Sequence, residues 1–274
     1  MSKVKFLVLG DLHGDIPIIH SNSFDAIICP GDVCGDDIRK NLDELDEEEL
    51  ELEEDYEKIS LTKGRKVLEF LNSLNKPIFI VPGNWDQTPY RDGIGEFTKN
   101  EKKNPWEKIK KGLNNIFDVE FTKAYYGGIA IVGHGSTSSP EPLVIGEIED
   151  VLLDSRELFF KERFNELRSL AKGEKVLILV SHNAPYGCSL DLIDNEKSIA
   201  NGEHYGSIIA REIIEEFQPI LSISGHIHEG FGKEKLGNTI ALNSGFRGDT
   251  NILVEIDVEQ KKIISIDFFG KSKI

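Results

Sequence analysis

One unit recurs along this 274-residue chain and constrains it more than any other feature. A short β-branched run breaks off into glycine or proline and then presents a carboxylate, a carboxamide or an imidazole. Val4–Leu9 ends in Gly10-Asp11-Leu12-His13-Gly14-Asp15, Ala26–Cys29 in Pro30-Gly31-Asp32, and Ile78–Val81 in Pro82-Gly83-Asn84-Trp85-Asp86. Val176–Val180 leads into Ser181-His182-Asn183-Ala184-Pro185, and Leu221–Ser224 into Gly225-His226-Ile227-His228. Apolar runs of this length bounded by turn residues predict buried strands. Ile129–Val132 reads as another, and helical periodicity occupies Arg65–Leu74, Val151–Leu170 and Ser207–Phe217. The alternation predicts an α/β sandwich with parallel strands. After Gly225 only strands follow, at Thr239–Leu242, Ile252–Ile256 and Ile263–Phe268, which predicts a second, more antiparallel sheet packed on the first. No linker, repeat or low-complexity stretch divides the chain, so a single domain over 1–274 is expected.

The carboxyl ends of parallel strands form one rim, where ligands collect. That rim would gather Asp11, His13, Asp32, Asn84, His182, His226 and His228. Any one of these motifs occurs by chance; five in order at five strand ends, holding four of the seven histidines, do not. Imidazole with carboxylate selects Mn, Fe, Zn, Ni or Co. Seven ligands exceed the needs of one ion and suit two that share a bridging carboxylate, the usual hydrolytic two-metal arrangement. Two divalent ions, two carboxylates and a hydroxide leave such a centre slightly positive, able to hold a phosphate within an acidic protein.

Acidity is the second constraint. The net charge is −16, which argues against a protein that coats a nucleic-acid polymer. Thirteen acidic and two basic residues fall between Asp36 and Glu57. Ile38, Leu42, Leu45, Leu52, Tyr56 and Ile59 recur there at helical steps, predicting an acidic helical insertion at about 36–62 with one apolar stripe. It would dock on the body or offer a surface to a protein partner or a second copy of the chain. No apolar run is long enough to span a membrane. Cys29, Cys34 and Cys188 form no metal pair and read as buried free thiols of a cytoplasmic protein.

Asp11-x-His13, Gly31-Asp32, Gly83-Asn84-x-Asp86, His182 and Gly225-His226-x-His228 resemble the calcineurin-like metallophosphoesterase superfamily, in its own motif order. Within it the chain is most similar to the Icc-related phosphoesterases. The passages that carry this are Ser181 to Gly187, Gln218-Pro219 with Gly225 to Glu229, and Asn243-Ser244-Gly245. The resemblance implies a four-layer sandwich of two mixed β-sheets packed face to face and flanked by helices. It implies one metal held by Asp11, His13, Asp32 and His228, a second held by Asp32, Asn84, His182 and His226, and Asp32 as the bridge. A metal-bridging hydroxide would attack phosphorus while Asn84 both ligates and orients the phosphate.

One position departs from the family. Its third motif usually reads Gly-Asn-His-Asp/Glu, and that histidine assists the leaving group; here the residue is Trp85. Indole donates one hydrogen bond but transfers no proton at neutral pH, and a lost general acid costs about 10²–10⁴ in rate. Three readings stay open: easy leaving groups or another acid, Trp85 stacking on a substrate ring, or a metal-binding scaffold without catalysis. His134, in Gly133-His134-Gly135-Ser136 after a strand, is the candidate substitute acid. The expectation is a dinuclear metal-dependent phosphohydrolase, a phosphodiesterase on a small substrate, with a phosphomonoesterase or a noncatalytic scaffold as alternatives.

Overall fold

The computed structural model describes residues 3–36, 53–86, 104–143 and 152–270. Strands β1 (Lys3–Val8) and β2 (Ala26–Cys29) precede helix α1 (Glu53–Ser73). Then come β3 (Ile78–Ile80), the short helix α2 (Pro105–Lys110), β4 (Ile116–Asp118), β5 (Lys123–Tyr126) and β6 (Ile129–His134). Helix α3 (Ser155–Ala171), β7 (Leu177–Asn183), α4 (Ile208–Phe217) and β8 (Leu221–Gly225) follow. A 3₁₀ turn at His228–Gly230 leads to β9 (Gly232–Leu236), β10 (Thr239–Asn243), β11 (Asn251–Asp257) and β12 (Lys262–Phe269).

Two six-stranded mixed sheets result, ordered β12-β11-β1-β2-β3-β4 and β5-β6-β7-β8-β10-β9. Side-chain alternation along each strand divides the interior into three apolar layers. Val4, Phe6, Val8, Ala26 and Ile28 from the first sheet meet Ile129, Ile131, Ile178 and Val180 from the second. The intervening residues point outward: Leu7, Ile27 and Cys29 pack on Val67, Leu68 and Leu71 of α1 and on Trp106 and Ile109 of α2. On the opposite face Ala130, Val132, Leu177 and Leu179 pack on α3 and α4 through Phe160, Leu167, Ile209 and Ile213. The order helix, sheet, sheet, helix is the expected four-layer sandwich.

The C-terminal strands do not form a sheet of their own. β10 runs parallel to β8 within the second sheet, while β11 runs antiparallel to β1 and β12 antiparallel to β11, extending the first sheet. Apolar pattern alone carries no record of which neighbour a strand chooses, so it does not predict that β10 joins one sheet and β11 and β12 the other. β4, β5 and β9 went unpredicted because two are only three or four residues long and Gly-Lys-Glu-Lys-Leu in β9 is mostly polar.

Of the expected acidic insertion, residues 37–52 lie outside the described residues. α1 begins inside it and runs unbroken to Ser73, so the helix expected from Arg65 is the second half of a longer one. Ile59, expected on the apolar stripe, is 45% exposed. The buried face runs instead through Ser60, Gly64, Val67, Leu68 and Leu71. Gly64 permits a close approach: a Cβ there would lie 2.5 Å from Cys34 Sγ. Cys29, Cys34 and Cys188 are buried and free, and burial pushes each thiol up. No described helix is long and apolar enough to cross a membrane.

Candidate metal centre

The loop after β1 is laid along the loop after β2 by three backbone bonds: Asp11 N to Gly31 O (3.0 Å), His13 N to Asp32 O (2.8 Å) and Gly14 N to Val33 O (3.0 Å). These bonds hold the chain in conformations that side-chain-bearing residues avoid. Asp11, His13, Asp32 and His226 have φ of 50°, 46°, 53° and 64°. Non-glycine residues in this region cost of order 1–3 kcal/mol each and persist only where surrounding contacts impose them. Four of them at one rim mark where the fold spends strain.

Two trios of ligand atoms form there, each within 4.8 Å: Asp11, His13 and His228, and Asp32, His182 and His226. Asp32 also reaches the first trio. Its Oδ2 is 3.7 Å from His13 Nε2 and 3.5 Å from His182 Nε2. Asn84 Oδ1 lies 2.8 Å from His182 Nε2. All seven residues singled out from the sequence therefore meet at one rim.

Backbone carbonyls set two of the imidazole tautomers. His182 Nδ1 is 2.9 Å from Pro30 O, and His226 Nε2 is 3.0 Å from Ser138 O. A carbonyl only accepts, so with the proton on each of these nitrogens the lone pair of the neutral ring falls on His182 Nε2 and His226 Nδ1; His182 Nε2 then faces the Asn84 oxygen lone pair to lone pair at 2.8 Å, an approach that a cation held by both atoms relieves. The first pair of histidines is arranged differently. His13 Nε2 and His228 Nε2 approach to 3.3 Å, and the buried His13 Nδ1 has no hydrogen-bond partner among the described residues. Two nitrogens bound to one ion at about 2.0–2.1 Å with tetrahedral angles stand roughly 3.3–3.4 Å apart, so this spacing fits a shared cation. Burial holds His13 well below the ordinary histidine value, with His228 and Arg247 adding to the effect, which keeps the ring in the neutral form a metal takes. Burial, and then Asp32, pushes Asp11 well above the usual carboxylate range. Nitrogen and oxygen donors, all borderline or hard, thus converge where positive charge is wanted.

Glycine enters two of the motifs for a steric reason. A Cβ on Gly225 would sit 1.8 Å from Asp11 Oδ2, and one on Gly83 would sit 2.0 Å from Asp32 Oδ1. Each glycine makes room for the carboxylate of another loop. The carboxylates are then tied by N–H groups: His226 N donates to Asp11 Oδ1 and Oδ2 (2.9 and 3.0 Å), and Trp85 N donates to Asp32 Oδ1 (2.8 Å). Asp86 braces the same region by accepting from Val33 N, Cys34 N and Gly83 N at 2.8–2.9 Å. Burial, and next the Asp32 carboxylate, raises Asp86 to about 6.

Trp85 is half-buried beside Asn84. His134 is placed differently from expectation: it is the last residue of β6 rather than a loop residue, and it is buried. Its Nε2 lies 2.9 Å from Glu141 Oε1. Glu141 also accepts from Ser207 Oγ and Ile208 N at the start of α4. Although burial pushes Glu141 up, His134 and Ser207 bring it below its ordinary value. This network pins the loop whose Ser138 carbonyl holds His226.

Three residues at the rim escaped the motif reading. Phe246 stacks on His228 with ring centroids 3.7 Å apart, Arg247 lies over Phe246, and Asp36 pairs with Arg247. The available signal was β10: a strand parallel to β8 delivers its own end, Asn243 onward, to the same rim. Asn243 Nδ2 bonds Gly225 O and Ile227 O at 3.1 and 2.9 Å, holding the loop of His226 and His228.

Comparison with known proteins agrees with this geometry. The chain is 32% identical over 212 residues to an uncharacterised protein of Methanocaldococcus jannaschii, covering 76% of this chain and 81% of that one. Its fold is similar to that of a Thermus thermophilus protein (TM-score 0.54, 15% identity, 97% and 98% of the two chains). It is also similar to phosphopantetheinyl hydrolase of Mycobacterium tuberculosis (TM-score 0.51, 14% identity, 90% and 91%). A family model, calcineurin-like phosphoesterase, matches residues 4–230, a span that takes in all seven rim residues described above. The chain belongs to the calcineurin-like phosphoesterase family.

Proposed function

We propose that this protein is a dinuclear metal-dependent phosphohydrolase that cleaves a phosphodiester of a small substrate. The observation that carries the reading is Asp32, whose Oδ2 faces a histidine of each trio at 3.7 and 3.5 Å. Asp11, His13, Asp32 and His228 would hold one ion, and Asp32, Asn84, His182 and His226 the other. Bound divalent ions supply an acidified water and neutralise the charge that builds on the phosphoryl oxygens.

The remaining work falls to the chain. Pro30 and Ser138 fix the His182 and His226 rings so that no reorientation is needed when the centre fills. The Trp85 and His226 N–H groups hold the two carboxylates in place. Asn84 directs a phosphoryl oxygen, and the Trp85 indole offers a face to the leaving group. His134 serves as an anchor of the 135–143 loop, since its Nε2 is committed to Glu141. Without an imidazole beside Asn84, turnover favours leaving groups that depart with little protonation. The acidity of the chain, at −16, turns large polyanions away and supports a small substrate.

The test is hydrolysis of an activated aryl phosphodiester beside its monoester, after metal removal and separate return of Mn, Ni, Zn, Fe and Mg. Metal-dependent diester turnover is expected, reduced at least 10²–10³-fold by Asp32→Ala, on the order of a lost transition-state stabiliser. A faster monoester with every metal overturns the diester assignment. No turnover with two equivalents bound overturns the enzyme.

A further inference from the structure

A charged pair borders the trio of Asp11, His13 and His228 without belonging to it. Arg247 has φ 57°, and its backbone N–H donates to Asp11 O at 2.8 Å, so its position is tied to a ligand residue. Its guanidinium lies 4.8 Å from the Phe246 ring centroid, and Phe246 in turn stacks on His228. Nη2 donates to Asp36 Oδ1 and Oδ2 at 3.0 and 2.9 Å. Asp36 Oδ2 is 3.8 Å from His13 Nδ1. Through these contacts the cation adjoins both histidines of one trio.

The pairing with Asp36 is incomplete as a guanidinium contact. Both bonds come from one nitrogen, whereas a matched carboxylate takes parallel bonds from two. Among the described residues Nη1 reaches only Asp15, at 3.5 Å, and the Asp15 side chain is 53% exposed. The Arg247 side chain is itself 27% exposed, open to solute. A planar fork of donors with an unmatched edge, held next to a centre suited to phosphoryl groups, has the geometry that binds phosphate oxygens.

We propose that Arg247 binds a phosphoryl oxygen of the substrate, with Asp36 occupying the guanidinium until substrate displaces it. The inference rests on the phosphoester reading above. It makes Arg247 a substrate-binding residue and Asp36 its competitor, so removing one or the other has opposite effects.

The experiment is calorimetric titration of inorganic phosphate into metal-loaded protein, with bound metal counted in the same samples. Arg247→Gln is expected to weaken phosphate about 10–100-fold, the range for a lost charged hydrogen bond of roughly 1.5–3 kcal/mol. Asp36→Asn is expected to tighten it several-fold by freeing the fork. With metal in saturating excess, metal content stays at wild-type level in both. Arg247→Lys keeps the charge without the fork; it is expected to weaken phosphate by a smaller factor, and it serves where the Gln variant misfolds. Substrate KM follows the same directions, with kcat changed less than KM.

Weakening by Asp36→Asn as well as Arg247→Gln overturns the proposal, because the pair then only braces His13. Loss of metal from both variants, or failure of wild-type protein to bind phosphate, overturns it too. The expected phosphate pattern without turnover on any ester keeps the Arg247 assignment and removes the hydrolase reading.

Discussion

His182 is fully enclosed, with one ring nitrogen on the Pro30 carbonyl, whereas the His228 side chain is 21% exposed and is steadied by the Phe246 ring. Each trio has two buried residues and one part-exposed histidine, and the difference lies in what steadies the rings. Around Asp32 the supports are main-chain groups: the carbonyls of Pro30 and Ser138 and the N–H of Trp85. Around His13 and His228 they are side chains of Phe246, Arg247 and Asp36. Main-chain supports cannot change rotamer, so the His182 and His226 rings are held rigidly. Side-chain supports can, so His228 is the adjustable member of its trio, while Asp11 is buried and held by the His226 N–H.

The contrast breaks most sharply at the two glycines. Gly83→Ala pushes on Asp32, which serves both trios, while Gly225→Ala pushes on Asp11, which serves one. Loss of both ions and at least a 10²-fold fall in activity is expected for Gly83→Ala, against loss of one ion for Gly225→Ala. Metal analysis of folded protein, checked by circular dichroism, decides it. Equal losses would refute the asymmetry.

Metal titration is the next test. Two steps separated by about tenfold or more are expected, given that supports of metal ligands are worth about 10–100-fold in affinity. His182→Ala should remove the tight step and His228→Ala the weak one. The reverse assignment would mean that enclosure does not set affinity. A smaller effect is expected of Phe246→Leu, which takes the aromatic face from His228: the weak step falls by up to about tenfold and the tight step is unchanged.

The smallest effect concerns what enclosure costs. Glu120 accepts from Ser136 Oγ at 3.0 Å, and Ser136 N bonds Pro82 O. Burial, and then Asp118, raises Glu120 from 4.5 to about 8. Across that interval the native protein keeps a proton that the unfolded chain has released, so stability falls as pH rises from about 4.5 to 8. Glu120→Gln removes this slope. Its Tm should rise relative to wild type between pH 5 and 8.5, reaching a few degrees at the upper end. A difference that does not vary with pH would contradict the raised pKa of this half-buried acid.

These differences also explain what the sequence could and could not disclose. The meeting of Asp11, His13, Asp32, Asn84, His182, His226 and His228 at one rim was legible because each lies within a few residues of the end of an apolar run, and a strand end is a local property. Gly83 and Gly225 were legible as motif residues, although their reason, a carboxylate from another loop within 2.0 Å of a hypothetical Cβ, is not local. Phe246, Arg247 and Asp36 were missed because their importance depends on β10 lying parallel to β8, a pairing that hydrophobic pattern does not encode. His134 was misplaced for a related reason: Gly133-His134 looks like a turn, but pairing of Gly133 with Val180 and of His134 with Ser181 keeps the strand going. The layers were readable from alternation alone, whereas the order of strands within them was not.

The pairing of β1 with β11 has a consequence for the life of the chain before it is a finished protein. Val4 opposes Ile256, and Leu7 opposes Leu253, so the strand that delivers Asp11 and His13 waits for a partner some 250 residues away. At roughly 5–20 residues per second of synthesis that wait lasts on the order of ten to fifty seconds. Throughout it, one edge of an apolar strand is uncovered and free to pair with another nascent chain. Such long-range closure also slows folding after release. Assembly of the metal-binding rim is therefore a late event in biogenesis, and dependence on chaperones during translation should exceed that of proteins whose first strand pairs with its immediate neighbours.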